Sequence, residues 1–160
     1  MTPPEDGDLS FRRASMEDAT AVAALVREAY QHYVPRLGAA PGPMVADYPE
    51  VLRQRDVDVV ESAGHIVGLL VMHVTSDDCV IENVAVSPRH QGRGLGSAML
   101  ERAEARAQRS GHTVIRLYTH EKMTENRRFY RSRGYVEYQP ARRAEDELVH
   151  FRKHVHDRAS

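Results

Sequence analysis

Val80-Ile-Glu-Asn-Val-Ala-Val-Ser-Pro-Arg-His-Gln-Gly-Arg-Gly-Leu-Gly96 is the stretch on which the fold turns. Residues 80–86 are mostly apolar and β-branched and read as a strand, which Pro88 ends. Gly92, Gly94 and Gly96 follow, and Ser97 begins a helical pattern that runs to about Ser110 and is closed by Gly111. Glycine lets a backbone adopt positive φ and approach a ligand with no Cβ in the way. The first helical turn adds unpaired N–H groups and the positive end of the dipole, a setting for phosphate. Arg89 and Arg93 add charge, and residues 89–133 hold 11 basic residues against four acidic ones. A capped helix with flexible glycines is the competing reading.

The flanking patterns alternate between strand and helix. Residues 1–8 read as a disordered lead-in and residues 9–13 as a short strand. Ser15 offers an N-cap with acids in the first turn, and Val22, Leu25, Val26, Ala29, Tyr30 and Tyr33 recur at helical spacing until Pro35. A Gly/Pro-rich loop over 36–44 leads to a short helix over 47–55. Strands over 57–60, 66–74 and 80–86, parted by turns at Ala63-Gly64 and 75–78, predict an antiparallel meander. Beyond the glycines the pattern gives a strand over 113–119, a helix over 125–133 and a strand over 135–138. A turn over 141–146 and a last strand over 147–155 complete it. The class is mixed α/β, and with no repeats or linkers we expect one domain over 9–156.

Composition narrows the function classes. The 160 residues (18.1 kDa) are 41% hydrophobic and 28% charged, enough for a core without staples. One cysteine, Cys79, excludes an intrachain disulfide framework and fits a reducing compartment. No apolar run approaches the ~20 residues of a membrane span. The acidic, Pro-containing start is no secretory signal, so the expected location is the cytoplasm. The net charge of −1 conceals a cancellation, −7 over residues 1–80 against +6 over 81–160. The 20 Arg to 2 Lys fit a GC-rich bacterial genome. With no overall basic charge and no aromatic-basic motif, nucleic acid is not an expected partner.

Two nucleotide readings of the glycines fail or weaken. A P-loop needs Lys before Ser/Thr, and here Gly96 precedes Ser97 directly. A dinucleotide fingerprint belongs after the first strand of a parallel unit, whereas a meander precedes this one. Gln91-x-x-Gly94-x-Gly96 instead resembles the Gln/Arg-x-x-Gly-x-Gly/Ala acyl-CoA signature of the GNAT superfamily of N-acyltransferases. It lies after a strand ending Val84-Ala-Val86 and before a helix, as in that family. Downstream, Phe129-Tyr130-Arg-Ser-Arg-Gly134-Tyr135 is similar to the family's Leu/Phe-Tyr-x-x-x-Gly-Phe/Tyr motif. Many members carry Asn seven positions before that tyrosine. This chain has Met123 there, and Asn126 stands four before it.

The resemblance covers residues 9–155. It implies a mixed, mostly antiparallel sheet of about six to seven strands flanked by about four helices. It also implies acetyl transfer from acetyl-CoA to a primary amine in a ternary complex. Pyrophosphate would rest on the N–H groups of Gln91, Gly92, Arg93, Gly94, Leu95, Gly96 and Ser97. The pantetheine arm would pair like an extra strand with Val84, Ala85 and Val86, whose N–H groups polarise the thioester. Tyr130 matches the usual general acid, since a phenol at ~10 can protonate a thiolate near ~8.5. A core tyrosine beside Phe129 is its alternative. Asn126 is either a cofactor contact or a helix cap.

Glu82 is the candidate base, placed by strand alternation on the face of Val80, Val84 and Val86. An edge carboxylate paired with arginine is the other reading. The acceptor region implied by the family comprises Tyr30, Tyr33, the 36–44 loop, Asp47 and Tyr48, which suit a cationic amine or a peptide N-terminus. Core packing is the alternative for the tyrosines. Nine histidines form no His-Glu-x-x-His pattern, and His154 with His156 suits only adventitious metal, so no metal is expected. No motif activates Cys79, which favours direct transfer over an acyl-enzyme. A homodimer fits the family's habits. A non-catalytic acyl-CoA sensor is the rival function.

Overall fold

Residues 9–141 and 147–155 are described in a computed structural model. The lead-in over 1–8, turn residues 142–146 and His156 lie outside them. β1 (Ser10–Arg13) leads to Ser15, which opens a 3-10 turn, Met16–Asp18, continuous with α1 (Ala19–Tyr30). The predicted stripe of Val22, Leu25, Val26, Ala29 and Tyr30 is buried. Pro35 does not stop the chain from turning. A 3-10 turn, Gln31–Tyr33, passes into α2 (Val34–Leu37), whose first turn tolerates Pro35 because no N–H is needed there. The expected loop therefore holds half of α2 and, after Gly38, most of α3 (Gly42–Val45). Asp47 caps α4 (Tyr48–Gln54) by accepting the Glu50 N–H at 3.2 Å.

β2 (Asp56–Ser62), β3 (His65–Val74) and β4 (Cys79–Val86) form the expected meander. α5 (Leu95–Arg109), β5 (Val114–His120), α6 (Thr124–Ser132), β6 (Val136–Tyr138) and β7 (Leu148–His154) complete the described elements. The seven strands lie in the order β1-β2-β3-β4-β5-β7-β6, and only the β4–β5 pair is parallel. One core lies under α5, with Met99, Leu100, Ala103, Tyr130, Tyr135 and Phe151. The other lies under α1, with Val22, Leu25, Val57, Val59, Leu69 and Ala85.

Two irregularities of β4 position the site. β3 and β4 are in register from Cys79 opposite Val74 to Ile81 opposite Met72, and again from Asn83 opposite Val71 to Val86 opposite Gly68. Glu82 is the extra residue, a β-bulge. Side chains change face across it: Cys79 and Ile81 pack under α5, whereas Ala85 packs under α1. Val84 and Val86 thus join the α5 side, and Glu82 does not share their face. The simple alternation expected from sequence is wrong there because one inserted residue inverts a period of two. Pairing with β5 is confined to Val80–Arg116 and Ile81–Leu117, so the strands part beyond the bulge.

Asp18 ties this frame together. Arg12 donates to both its oxygens, at 2.8 and 2.9 Å, and the Ser15 N–H donates at 2.7 Å. The Arg12 hydrogen bonds are the main cause holding the Asp18 carboxyl down at about 2. A depressed folded pKa gives stability that is full above the unfolded value near ~3.9 and disappears as pH falls through about 2. Asp18→Asn should therefore lower the urea midpoint at about pH 5 and cost progressively less towards about pH 2. A deficit that does not shrink with acid contradicts this linkage.

Candidate active site

Gly94, at φ 82°, is the N-cap of α5, and Gly92 stands at φ 78°. Both occupy the left-handed region, and nothing lies within 4 Å of where a Cβ would project. The first bond of α5 runs from the Ala98 N–H to the Gly94 carbonyl at 3.0 Å, leaving the Leu95, Gly96 and Ser97 N–H groups at the helix mouth. Gln91 anchors the loop by donating from Nε2 to the Val86 carbonyl at 3.1 Å. A Cβ at Gly96 would stand 3.2 Å from the Phe129 ring, so glycine lets α6 approach α5.

These groups line a cleft of about 580 Å³ that also includes Val84, Ala85 and Val86. Arg93, named with the loop, is exposed and does not line it. Arg133 and His90 do, and the sequence reading missed both. The His90 Nδ1 atom is buried without a hydrogen-bond partner. N–H donors at a helix start, open space over the glycines and an orphaned polar atom together fit an extended anionic ligand.

A second cavity, of about 700 Å³, opens at the preceding stretch of β4, Ile81 to Val84. Tyr30, Val84, Asn126 and Tyr130 line both, so the two meet there. The Ser87 N–H donates to the Val67 carbonyl in the β3 direction, at 2.8 Å. Alternation then turns the N–H groups of Val84 and Val86 towards the gap left by β5. Tyr130 is 7% exposed, its ring packed 5.5–6.1 Å from Phe129, Phe151 and Tyr135. It is thus both a core residue and a wall of the junction. Burial holds its phenol well above the ordinary range. Asn126 is not a cap, since Met123 holds that position. It is the third residue of α6, and its amide donates to Thr119 Oγ1 at 3.4 Å.

The expected acceptor residues separate. Tyr30 and Tyr48 line the larger cavity, with burial pushing Tyr48 up to about 12. Tyr33 lines the 580 Å³ cleft instead, its hydroxyl donating to Glu125 at 3.3 Å, and burial pushes it up to about 12. Asp47 is exposed and spent as a helix cap, outside the lining of either cavity. Glu82 does line the larger cavity, while Arg55 Nε donates to its Oε1 at 2.7 Å. The pairing with arginine is therefore present, and the paired carboxylate at the same time faces the cavity. Asn83, which sequence reasoning passed over, is 8% exposed and accepts from the Tyr30 hydroxyl at 2.7 Å. Tyr118, His120, Leu148 and His150, from β5 and β7, supply the far wall.

The family model described as Acetyltransferase (GNAT) family matches residues 21–135. The chain belongs to the GNAT acetyltransferase family. Similar GNAT-fold structures include PaiA N-acetyltransferase from Thermoplasma acidophilum in complex with coenzyme A. It is 15% identical over 91% of this chain and 98% of that one, with a TM-score of 0.78. An acetyltransferase from Thermus thermophilus is 18% identical over 91% and 96%, with a TM-score of 0.73. Ard1 from Thermoplasma volcanium is 20% identical over 94% and 99%, also with a TM-score of 0.73. At these identities the likeness is one of fold. A comparison with curated proteins finds no match.

The GNAT sheet agrees with the expected mixed, mostly antiparallel architecture. Four of its helices, α1, α4, α5 and α6, have seven or more residues among the described ones. Cys79 is buried in this GNAT chain, and desolvation pushes its thiol up to about 11, so it holds its proton. No group of three or more His, Cys, Asp or Glu that could hold a metal occurs among the described residues. No described helix is long and apolar enough to cross a membrane.

Proposed function

We propose that the protein is an acetyl-CoA-dependent N-acetyltransferase that moves acetyl to a primary amine by direct transfer. The observation that carries this reading is the meeting of the two cavities at Tyr130 and the open edge of β4. Acetyl-CoA supplies an acyl group on a thiol that can leave. The N–H groups of Leu95, Gly96 and Ser97 hold its pyrophosphate, and the Val84–Val86 edge pairs with its arm. Val84 and Val86 N–H groups polarise the thioester carbonyl at the junction.

The amine reaches the junction from the 700 Å³ cavity, on the side of Glu82 and Asn83. Glu82 Oε2, with Arg55 holding the other oxygen, receives the ammonium proton through water or directly. The free amine attacks the acyl carbon, the C–S bond breaks, Tyr130 gives its proton to the sulfur, and the proton that the new amide nitrogen sheds returns to Tyr130 through water. The lone buried cysteine fits a reducing cytoplasm.

A thiol-release assay with acetyl-CoA tests the reading against benzylamine, putrescine, kanamycin and a tetrapeptide with a free N-terminus. Release of CoA with at least one amine, and of acetylated product in equal amount, is expected. Binding of acetyl-CoA with no release from any amine would instead assign a non-catalytic acyl-CoA sensor.

A further inference from the structure

The junction carries two buried tyrosines, and their surroundings make them unlike. A hydroxyl has one proton to give and two lone pairs to receive with. The Tyr30 hydroxyl stands 2.7 Å from Asn83 Oδ1 and 3.2 Å from the Val84 carbonyl. Both are acceptors, so the single proton of Tyr30 is already committed, chiefly to Asn83. What Tyr30 can still offer is a lone pair. The Tyr130 hydroxyl has no such partner among the described residues and keeps its proton for a ligand.

We propose that Asn83 is a positioning residue that fixes Tyr30 as a hydrogen-bond acceptor, and that Tyr30 receives an N–H of the acceptor amine. The inference rests on the transfer reading above. An attacking amine must point its lone pair at the acyl carbon and its N–H groups elsewhere. An acceptor fixed beside the junction selects that orientation before reaction. Burial keeps Tyr30 a neutral phenol, so its oxygen accepts without adding a charge beside the polarised thioester. The place of Asn83 directly after the bulge residue Glu82 turns its side chain towards α1. The Asn83 side chain also engages Tyr48, which joins the same polar group to the cavity wall.

The test is a double-mutant cycle with the panel amine that gives the highest kcat/KM. Tyr30→Phe and Asn83→Leu should each raise the amine KM about tenfold, the worth of one buried hydrogen bond. The double variant should be no worse than either single one, because both remove the same interaction. The Kd for CoA, by calorimetry, should stay within about twofold in all three. A purely structural role would move that Kd as well and give additive losses. If Asn83→Leu does not fold, Asn83→Ser, which keeps an oxygen at the site, takes its place and should show a smaller rise than Tyr30→Phe. Unchanged KM in the variants, or additive effects, would overturn the inference while leaving the transfer reading intact. A wild-type protein that binds acetyl-CoA and releases no CoA overturns both.

Discussion

Tyr130→Phe is expected to lower kcat by about 100-fold or more and to leave the Kd for CoA within about twofold. The substitution removes one oxygen from a ring held on three sides by Phe129, Tyr135 and Phe151, so the packing survives. What is lost is the act asked of that oxygen, protonation of the leaving sulfur. Burial raises the Tyr130 phenol above its ordinary value, which at first sight makes it a reluctant acid. In the proposed mechanism the leaving thiolate lies in the same dry junction and is raised by the same cause. Burial raises the Cys79 thiol of this protein in the same direction. Donor and acceptor therefore move in the same direction. The raised phenol also remains protonated through the neutral and mildly alkaline range, so kcat should show no alkaline loss from Tyr130 below about pH 10. Steady-state kinetics with calorimetric CoA binding checks both statements. Equal turnover in the variant would sink the acid assignment.

Gly94→Val should weaken CoA binding by about 100-fold. At φ 82° the N-cap of α5 lies where an L side chain costs ~1–2 kcal/mol, and β-branching adds to it. The space is not the obstacle, since nothing lies within 4 Å of the Cβ position. The strain is in the backbone, and the loop relieves it by leaving the left-handed region. That rotates the N–H groups at the start of α5 away from the cleft. Hydrogen bonds to a charged group are worth ~1.5–3 kcal/mol each, so losing one or two accounts for the predicted factor. Calorimetry with CoA measures it, and thermal unfolding checks that the fold persists. Undiminished affinity would mean that the glycine loop does not carry the phosphates.

Much of the site was legible because its chemistry is local. A glycine that needs positive φ, a helix start and a phenol in Phe129-Tyr130 are written within a few consecutive residues. Gln91 was named for its backbone, but its side chain, donating to the Val86 carbonyl, does the anchoring. The acceptor side was less legible, since its far wall of Tyr118, His120 and His150 comes from β5 and β7, 70 or more residues beyond the tyrosines assigned to it. Tyr33 and Asp47 were credited to the acceptor region because the family resemblance implies that the first helices and their loop form it. Helical rotation sends Tyr33 to the 580 Å³ cleft, and a capping bond keeps Asp47 outside both cavities.

The sequence by itself determined a meander, a glycine-cradled helix start and the motif that presents Tyr130, because each depends on torsions and hydrogen bonds between near neighbours. Only the tertiary structure decided where Glu82 and Asn83 point. Burial along β4 alternates without a break through Glu82, so no periodicity in the sequence betrays the extra residue. The bulge exists only in the register with β3, a relation between two strands. That single unpaired residue inverts the faces beyond it, carries Glu82 to Arg55 and sets Asn83 against Tyr30.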